Sequence, residues 1–417
     1  MVLSVDPRTF ACSHVRMQYI SLVLDAISGT LLLVCVPKRS CVSVFPLVDD
    51  PNAEVATLTE TLAGVTYATW VKRSTVNHAS TVLVVSDFGC RMVAWDVTVD
   101  HGCGVHDSIE LACPKVASGL GVASSPDGKL VGVLTRANCK DSVVLYDSMT
   151  FDEIGSLELR TAEAAGMQWS PDSKSIAVYE GPAHDPRVIS IGVSRTGLAV
   201  RMDKAWKTGS GLGVRTVAWS PSGSVLAVGT YDQDVLLVNA VTWKGMDASL
   251  HHAAVVDEKQ YSTQMEVVVF EETEQGHYAD VCTPARLPTI EEASVSAVPS
   301  LFPLTGVDRV LFSSTGKFLA TVSLDKPNVL WIWDASRFEL DTVLVHRRPI
   351  RDVAWRPGTD TCYLVCGTKS VYVFDDGSVT AIELAVADER FRGLNVCWSR
   401  DSRVAVSCGS CFSVGSC

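Results

Sequence analysis

The residues best suited to chemistry in this 417-residue sequence lie in two short motifs. Cys408-Gly-Ser-Cys411 has the spacing of a thiol redox pair, and His101, Cys103 and His106 carry side chains that can bind zinc. A redox pair of this kind belongs in a βαβ unit, whereas this one follows an apolar, strand-like run. Zinc sites take four ligands, and no second ligand pair is spaced to complete the set. We therefore predict no metal site and no redox site.

Motifs of common catalytic and nucleotide-binding sites are missing as well. The sequence has no Gly-x-x-x-x-Gly-Lys-Ser/Thr element for phosphates and no His-Glu-x-x-His element for zinc. The run Gly209-Ser-Gly-Leu-Gly213 precedes a strand-like segment instead of opening a helix, so it predicts a loop and not a dinucleotide site. The sequence predicts a protein that is not an enzyme and takes no cofactor and no small-molecule substrate.

The elements that position every other residue are clearest between Leu212 and Lys244. Val214, Thr216 and Ala218 alternate with Arg215, Val217 and Trp219, which is the period of a β-strand. A Ser-Pro-Ser-Gly turn follows, because proline fixes φ and glycine allows a positive φ. Two further β-branched runs complete an antiparallel meander. A single sheet of this kind cannot bury its apolar faces alone, so its neighbours should be copies of itself.

The same pattern of a strand, a turn and two more strands recurs along the chain. Its turn elements begin at Ser124, Trp169, Trp219, Phe312, Trp355 and Trp398, with weaker copies near Trp70 and Leu24. The third strand ends in pairs such as Trp95-Asp96, Tyr146-Asp147 and Trp333-Asp334. A period near 40–45 residues with a terminal Trp-Asp pair is typical of propeller blades. The sequence therefore predicts an all-β, WD-repeat β-propeller of seven or eight blades.

Three segments follow from the repeat. Residues 13–245 hold the first five visible blades, 246–304 are an acidic, proline-containing insertion loop, and 305–417 hold three more, the last cut short. Within the insertion, Val267–Phe270 is the one run that could add an edge strand, and the remainder is expected to be a solvated loop. Because a propeller must close, we expect one terminus to supply a strand to the blade formed by the other.

Charge and composition narrow the class of partner. The net charge is −12, and phosphate neutralisation needs an excess of Lys and Arg, so we predict no nucleic-acid or anionic-membrane binding. No run approaches 18 apolar residues, and the N-terminus lacks the pattern of a secretory signal. The 14 cysteines are accordingly expected to be reduced thiols.

Four residues are the candidates for partner binding. Trp206 and Trp243 fall outside the repeat phase at blade boundaries, whereas most other tryptophans lie at repeat positions that predict packing between blades. His251 and His252 stand next to the acidic insertion. Exposed tryptophans are enriched among the residues that dominate binding energy. Packing at a blade boundary is the alternative for the tryptophans, and a solvated loop is the alternative for the histidines.

Several segments resemble one family of WD-repeat proteins. These are the stretch from Ala205 to Ser222, the Asn239-Ala-Val-Thr-Trp-Lys244 element before the insertion, Asn138–Asp141 and Lys326–Asp334. They are similar to the spindle-pole and centriolar-satellite WD-repeat proteins, the partners of the afadin- and alpha-actinin-binding protein. The Val-Thr-Trp-Lys element and the placement of the insertion are the discriminating features, since every WD-repeat protein has a Trp-Ser-Pro motif.

The resemblance implies a non-enzymatic adaptor in the cytoplasm and cytoskeleton, located at a microtubule-organising centre (centrosome, spindle pole or basal body). It implies anchoring of microtubule minus ends and support of spindle and cilium assembly through a coiled-coil spindle-pole protein and, in fungi, a minus-end-directed kinesin. The alternative is a WD-repeat scaffold in another complex, such as a ubiquitin-ligase receptor or a translation or trafficking adaptor. A propeller hydrolase with a central metal is the rival from another class, but its convergent Asp, His or Glu residues are not found at the predicted strand starts.

Overall fold

A computed structural model gives the fold of the chain. The residues that it describes are 11–13, 21–24, 31–35, 41–46, 56–59, 64–71, 79–86, 91–98, 104–181, 186–194, 197–205, 212–256, 267–274, 276–288, 305–384, 386, 391–398, 403–408 and 412–416. Every helix or strand within these residues is a β-strand, as the period-two runs predict.

The strands are short and follow one another with brief turns. In the first part of the chain they are β1 (Ala11–Ser13), β2 (Ser21–Leu24), β3 (Leu31–Cys35), β4 (Cys41–Pro46), β5 (Ala56–Thr59), β6 (Val65–Val71), β7 (Ala79–Ser86), β8 (Met92–Thr98), β9 (Gly104–Leu111), β10 (Val122–Ser124), β11 (Leu130–Ala137), β12 (Lys140–Asp147), β13 (Glu153–Glu158), β14 (Ala164–Trp169), β15 (Ser175–Glu180), β16 (Arg187–Ser194) and β17 (Gly197–Ala205). The others are β18 (Val214–Trp219), β19 (Val225–Thr230), β20 (Asp234–Asn239), β21 (Gly245–His251), β22 (Val255–Val256), β23 (Val268–Glu272), β24 (Tyr278–Val281), β25 (Ala285–Arg286), β26 (Val307–Phe312), β27 (Phe318–Ser323), β28 (Val329–Asp334), β29 (Glu339–Val345), β30 (Asp352–Trp355), β31 (Cys362–Val365), β32 (Ser370–Asp375), β33 (Ser378–Glu383), β34 (Asn395–Trp398), β35 (Arg403–Ser407) and β36 (Phe412–Ser416).

Consecutive strands form antiparallel meanders of four. The meanders are β2–β5, β6–β9, β10–β13, β14–β17, β18–β21, β26–β29 and β30–β33, which we call sheets 1 to 7 in that order. Sheet 8 consists of β34, β35 and β36, and β1 from the N-terminus pairs with β36 as its fourth strand. The expected strand exchange between the termini is therefore present: Ala11 lies opposite Val414.

The insertion adds two strands to sheet 6. Strand β23 pairs in parallel with β29, Val269 lying opposite Val343, and β24 pairs with β23 at the new edge. The prediction that a strand is added around Val267–Phe270 is confirmed, but β23 is not the edge strand, because it pairs with β29 on one side and β24 on the other. Val256, Val267, Val269, Ala285 and Leu287 are buried in an apolar cluster with sheets 5 and 6. The described part of the insertion is thus a packed element, and expecting it to be a solvated loop apart from one strand was wrong.

The predicted start of the insertion also shifts. Strand β21 is the fourth strand of sheet 5 and extends to His251, which lies opposite Asp234 of β20. The boundary between residues 245 and 246 therefore falls inside a blade strand. Ala248 and Leu250 are apolar residues two positions apart in β21, so the strand period continues beyond residue 245. The acidic charge of this segment had indicated a loop instead.

Close packing divides the chain into two compact units. The first comprises Met1–Val178, Ser190–Arg201 and Leu384–Cys417, and the second comprises Tyr179–Ile189 and Met202–Glu383. In the first unit, apolar clusters fill the spaces among sheets 1 to 3. In the second, the largest cluster surrounds Trp331 and Trp333 of β28, which are 0% and 2% exposed.

Repeat tryptophans join neighbouring sheets, as their phase predicts. The indole nitrogen of Trp169 in sheet 4 donates to the carbonyl oxygen of Ala123 in sheet 3 at 3.0 Å. Trp355 in sheet 7 donates in the same way to Leu311 in sheet 6 at 2.9 Å. A buried indole needs such an acceptor. These bonds fix adjacent first strands against each other.

The alternation predicted for the first strand of sheet 5 is broken by a bulge. The pairing of β18 with β19 shifts between Val214 and Thr216, so Arg215 is the extra residue. The same shift leaves Asp308 extra in β26, between Val307 and Arg309. A bulge redirects the side chain that it inserts. Here it brings Arg215 Nη2 to 3.0 Å from Asp308 Oδ1, which joins sheets 5 and 6.

Candidate interaction surfaces

The turn between β20 and β21 is built around Asn239. Its side-chain oxygen accepts hydrogen bonds from the amides of Val241 and Thr242 at 3.0 and 2.9 Å, and its carbonyl oxygen accepts from the amide of Trp243 at 2.7 Å. This is the local bonding by which Asn and Asp favour turns. Trp243 closes the turn with a φ of +54°.

The same turn recurs in two other sheets. Asp147 begins it in sheet 3 and Asp334 in sheet 6, and each is followed four residues later by a phenylalanine with a positive φ, Phe151 at +58° and Phe338 at +56°. Trp243 holds the equivalent position in sheet 5. Placing Trp243 outside the repeat phase was therefore wrong. An Asp or Asn followed four residues later by an aromatic residue was the signal in the sequence that could have revealed it.

The surroundings of Trp243 leave part of this turn exposed. Its ring packs edge-on against Trp219, with centroids 6.0 Å apart, and its carbonyl oxygen accepts a hydrogen bond from the Lys204 ammonium at 2.9 Å. Val241 is 81% exposed and Met246, at the start of the next strand, is 37% exposed. We call Val241, Trp243 and Met246 the Trp243 turn patch. Apolar and aromatic side chains of this kind are enriched at the centres of interfaces.

The structure describes two of the other three predicted partner-binding residues, His251 and His252. Trp206 lies outside the described residues. The imidazole of His251 is exposed and its Nδ1 lies 2.7 Å from Asp234 Oδ1, a hydrogen bond between β21 and β20. His252 is fully buried. Because His252 is buried, the structure does not bring Trp243, His251 and His252 together into one surface.

His252 belongs to a buried chain of hydrogen bonds. The Trp333 indole donates to Thr321 Oγ1 at 2.9 Å, Thr321 lies 2.7 Å from His252 Nε2, and His252 Nδ1 lies 2.7 Å from the carbonyl oxygen of Gln233. A carbonyl can only accept, so Nδ1 carries the proton and Nε2 accepts from the Thr321 hydroxyl. The Lys326 ammonium donates to the carbonyl oxygen of His252 at 2.8 Å.

This chain of hydrogen bonds requires a neutral imidazole. Burial lowers the pKa of His252 to about 3, against the weaker opposing effect of its bond to Gln233. With both ring nitrogens already used and no exposure, His252 cannot contact a partner. Interpreting it as a partner-binding residue does not fit this position, because its ring is buried edge-on against the rings of Trp331 and Trp333.

A second buried polar cluster attaches the insertion to sheets 6 and 7. Glu272 of β23 accepts hydrogen bonds from the Tyr372 hydroxyl at 2.7 Å and from the backbone amide of Arg347 at 2.9 Å. The Tyr278 hydroxyl of β24 lies 2.8 Å from Nδ1 of the fully buried His346. Burial lowers the pKa of His346 to about 3, and burial raises the pKa of Tyr278 and of Tyr372. The insertion is thereby fixed by specific bonds, not only by strand pairing.

We expect Glu272→Ala to loosen this attachment. Its loss leaves the Tyr372 hydroxyl and the Arg347 amide without their acceptor, which costs about 1–3 kcal/mol of unfolding free energy and should expose β23–β24 to limited proteolysis. Glu274→Ala is the matched control. The Glu274 side chain is 90% exposed, and its ion pair with Arg347, at 3.6 Å, is a surface pair that contributes little to stability. Equal protease sensitivity of the two variants would contradict the attachment role.

The described residues contain neither a cluster of metal-binding side chains nor a helix that could span a membrane. Within them, His, Cys, Asp and Glu side chains form no group of three that could hold a metal ion. No helix there is long and apolar enough to cross a membrane. Of the residues considered for redox or zinc chemistry, Cys408 is buried, His106 lies in β9, and Cys411, His101 and Cys103 lie outside the described residues.

Comparisons with known proteins agree with this architecture. Residues 206–239 match the family model "WD domain, G-beta repeat". The mouse WD repeat-containing protein WRAP73 is 25% identical over 353 residues, which are 78% of this chain and 71% of that protein. An uncharacterized WD repeat-containing protein of Schizosaccharomyces pombe is 24% identical over 66% of this chain, which spans about half (54%) of that relative.

Solved structures extend the likeness to almost the whole chain. Chaetomium thermophilum Sqt1 bound to the N-terminus of a ribosomal protein superimposes with a TM-score of 0.64 at 13% identity, covering 98% of this chain and 99% of that one. Saccharomyces cerevisiae Sqt1 gives 0.63 at 10% identity, covering 98% of both chains. At such identities the likeness shows the fold alone. The repeating four-stranded sheets and these likenesses show that the chain has an all-β, β-propeller fold, and residues 206–239 match one WD repeat.

Proposed function

We propose that this protein is a non-enzymatic adaptor at microtubule-organising centres, at spindle poles, centrosomes or basal bodies. In this role it anchors microtubule minus ends and supports spindle and cilium assembly through a coiled-coil partner, with a minus-end-directed kinesin as a further partner in fungi. The similarity to mouse WRAP73 along 353 residues supports an adaptor of this family. So does the resemblance of the Val-Thr-Trp-Lys element and the insertion to spindle-pole WD-repeat proteins.

The observation that carries the proposal is the exposure of the Trp243 turn patch. The turn itself needs only the oxygens of Asn239 and a residue of positive φ at position 243. It does not need an apolar side chain at Val241, which is 81% exposed. Single exposed apolar residues are ordinary on proteins, but this one adjoins an aromatic residue in an element on which the family resemblance rests. A partner that covers the patch would explain both the exposed apolar side chain of Val241 and its position beside an aromatic residue.

The test is purification and imaging of the tagged full chain from dividing cells. We expect a coiled-coil protein to co-purify and the tagged chain to give a punctate signal at microtubule-organising centres. Val241→Asp should reduce recovery of the coiled-coil protein about tenfold or more, because burying an unpaired carboxylate in an interface is costly. The melting temperature should remain unchanged, since the side chain is exposed.

Val200→Asp is the matched control, because Val200 is an exposed valine (49%) on β17 that does not belong to the Trp243 turn patch. It should leave recovery unchanged. Co-purification of ribosomal or ubiquitin-ligase components with a diffuse signal would contradict the proposal and favour the alternative scaffold. Recovery that survives Val241→Asp would remove the Trp243 turn patch from the argument.

A further inference from the structure

The first unit contains a surface cavity of about 890 Å³ that the proposed function does not use. Sheets 3 and 4 form it with turns at one end of their strands: the turn from β10 to β11, the turn from β12 to β13 and the turn from β14 to β15. Binding pockets for ligands typically have volumes of roughly 300–1,000 Å³. The cavity is therefore large enough for a few residues of an extended peptide.

Part of the cavity wall is apolar. Met149 is 43% exposed there, and Ile154 and Val193 are half-buried at its sides. Methionine suits a site for an apolar side chain because it is unbranched and adapts to the shape of its neighbour. An aliphatic side chain of a ligand would cover these residues and remove their surface from water.

The rest of the wall carries charges of both signs, with the carboxylates in excess. Asp127 lies 3.5 Å from the Lys129 ammonium, whereas Asp147, Asp172 and Lys174 take part in no ion pair within the described part of the chain. Burial tends to raise the pKa of Asp127 and of Asp172. Hydrogen bonds from Ser125, Ser170 and backbone amides, together with the charges of Lys129 and Lys174, outweigh burial, so both pKa values are lowered. The carboxylates of Asp127 and Asp172 are accordingly ionised at neutral pH.

The turns do not require these negative charges. In sheets 3 and 4, Asp127 and Asp172 accept a hydrogen bond from the amide two residues later. Ser222 in sheet 5 and Thr315 in sheet 6 accept the same bond through a hydroxyl. Asn239 likewise makes in sheet 5 the turn that Asp147 makes in sheet 3. The negative charges of Asp127, Asp147 and Asp172 are thus not needed to form the turns, and they lie in the wall of a cavity that is partly apolar.

We propose that this cavity binds an extended segment of a protein partner in which one Lys or Arg stands beside an aliphatic residue. The aliphatic side chain would lie on Met149, and the cation would lie near Asp147 and Asp172. The unpaired Lys174 ammonium would oppose a second cation at the same place, so one basic residue per bound segment is expected. The negative charge of the whole chain favours the approach of such a partner.

The chain's own repeats supply a variant that should fold. Asp127→Ser, Asp147→Asn and Asp172→Ser copy the residues found at the equivalent turns, Ser222 and Asn239. Asp334→Asn is the matched control, since Asp334 makes the same turn in sheet 6 and does not line the cavity. Equal melting temperatures for the full-length variants would confirm that both fold.

The probe is the fluorescein-labelled peptide Gly-Ser-Leu-Arg-Leu-Gly, and its fluorescence anisotropy is measured against full-length protein. We expect binding that weakens about tenfold or more in the triple variant and remains unchanged in Asp334→Asn. Replacing the peptide's Arg by Glu, or both Leu residues by Ser, should abolish it. Raising the salt from about 50 to about 300 mM should weaken it, because salt screens exposed charges.

Three results would overturn the proposal: no binding at millimolar protein, equal binding by the triple variant, or displacement of the peptide by spermidine as effectively as by unlabelled peptide. Spermidine has the cations without the aliphatic side chain, so its success would identify a simple electrostatic site. Protection of residues 147–154 from hydrogen exchange by the peptide is the expected positional readout. The experiment uses purified protein and is independent of cellular location, so its outcome does not depend on the proposed function.

Discussion

Replacing Trp333 by alanine should lower the free energy of unfolding by about 3–5 kcal/mol, the usual cost of deleting a buried aromatic side chain. Trp333 is 2% exposed, and its ring lies parallel to that of Trp331 with centroids 5.9 Å apart. Its indole also donates to Thr321 in the hydrogen-bond chain that continues through His252 to the carbonyl oxygen of Gln233. The variant loses both the packing and the first donor of that chain. Urea unfolding followed by intrinsic fluorescence measures the effect.

Trp333→Phe separates the two contributions. Phenylalanine keeps most of the apolar volume but has no N–H, so the free energy of unfolding should fall by only about 1–2 kcal/mol. Trp243→Asn is a useful comparison, because Trp243 is half-buried and asparagine tolerates its positive φ. We expect a smaller loss there than in Trp333→Ala. An unchanged urea midpoint for Trp333→Ala would show that β28 is not the centre of the second unit's core.

Acidification should destabilise the protein through His252 and His346. Burial lowers the pKa of each in the folded state to about 3, whereas an unfolded histidine has a pKa near 6.5. Between these values the unfolded chain binds protons that the folded chain does not, so the free energy of unfolding rises with pH. The stabilisation is fully present above about pH 6.5 and is lost as the pH falls towards 3. Each histidine contributes at most about 1.4 kcal/mol per pH unit.

Urea unfolding measured at intervals from pH 7 to pH 5 tests this dependence. His346→Gln should reduce its slope, because the amide can accept from the Tyr278 hydroxyl but does not titrate. His251→Gln removes an exposed imidazole instead and serves as the control. If the slopes of wild type and His346→Gln coincide, then His346 is not held neutral by the fold. The readout is the free energy of unfolding, so the result does not depend on the identity of a partner.

Much of the architecture could be predicted from local pattern. Each strand is a β-branched, period-two run, and each turn carries its own hydrogen-bonding residue, such as Ser170 with Asp172 or Ser220 with Ser222. Such local preferences act over a few residues and therefore survive translation into structure. The added strand at Val267–Phe270 and the closure of sheet 8 by β1 were predictable because apolar runs and open sheet edges both need partners.

The candidate site was less predictable, because it depends on which residues meet across sheets. His252 next to an acidic insertion suggested a solvated loop, yet its ring is buried edge-on against both Trp331 and Trp333 of sheet 6. Trp243 seemed out of phase because its turn repeats by bonding geometry and not by residue identity: Asp147 and Phe151 do in sheet 3 what Asn239 and Trp243 do in sheet 5.

The all-β class, the repeat, the positions of most strands and turns, and the acidic charge without catalytic motifs follow from residue patterns. Sheet packing is needed to show that the insertion extends sheet 6 in parallel, that His252 is a buried neutral base, and that Asp127, Asp147 and Asp172 surround one cavity. The reason is separation along the chain. Local turns and strands are set by neighbouring residues, whereas burial and clustering are set by residues dozens of positions apart that only sheet packing brings together.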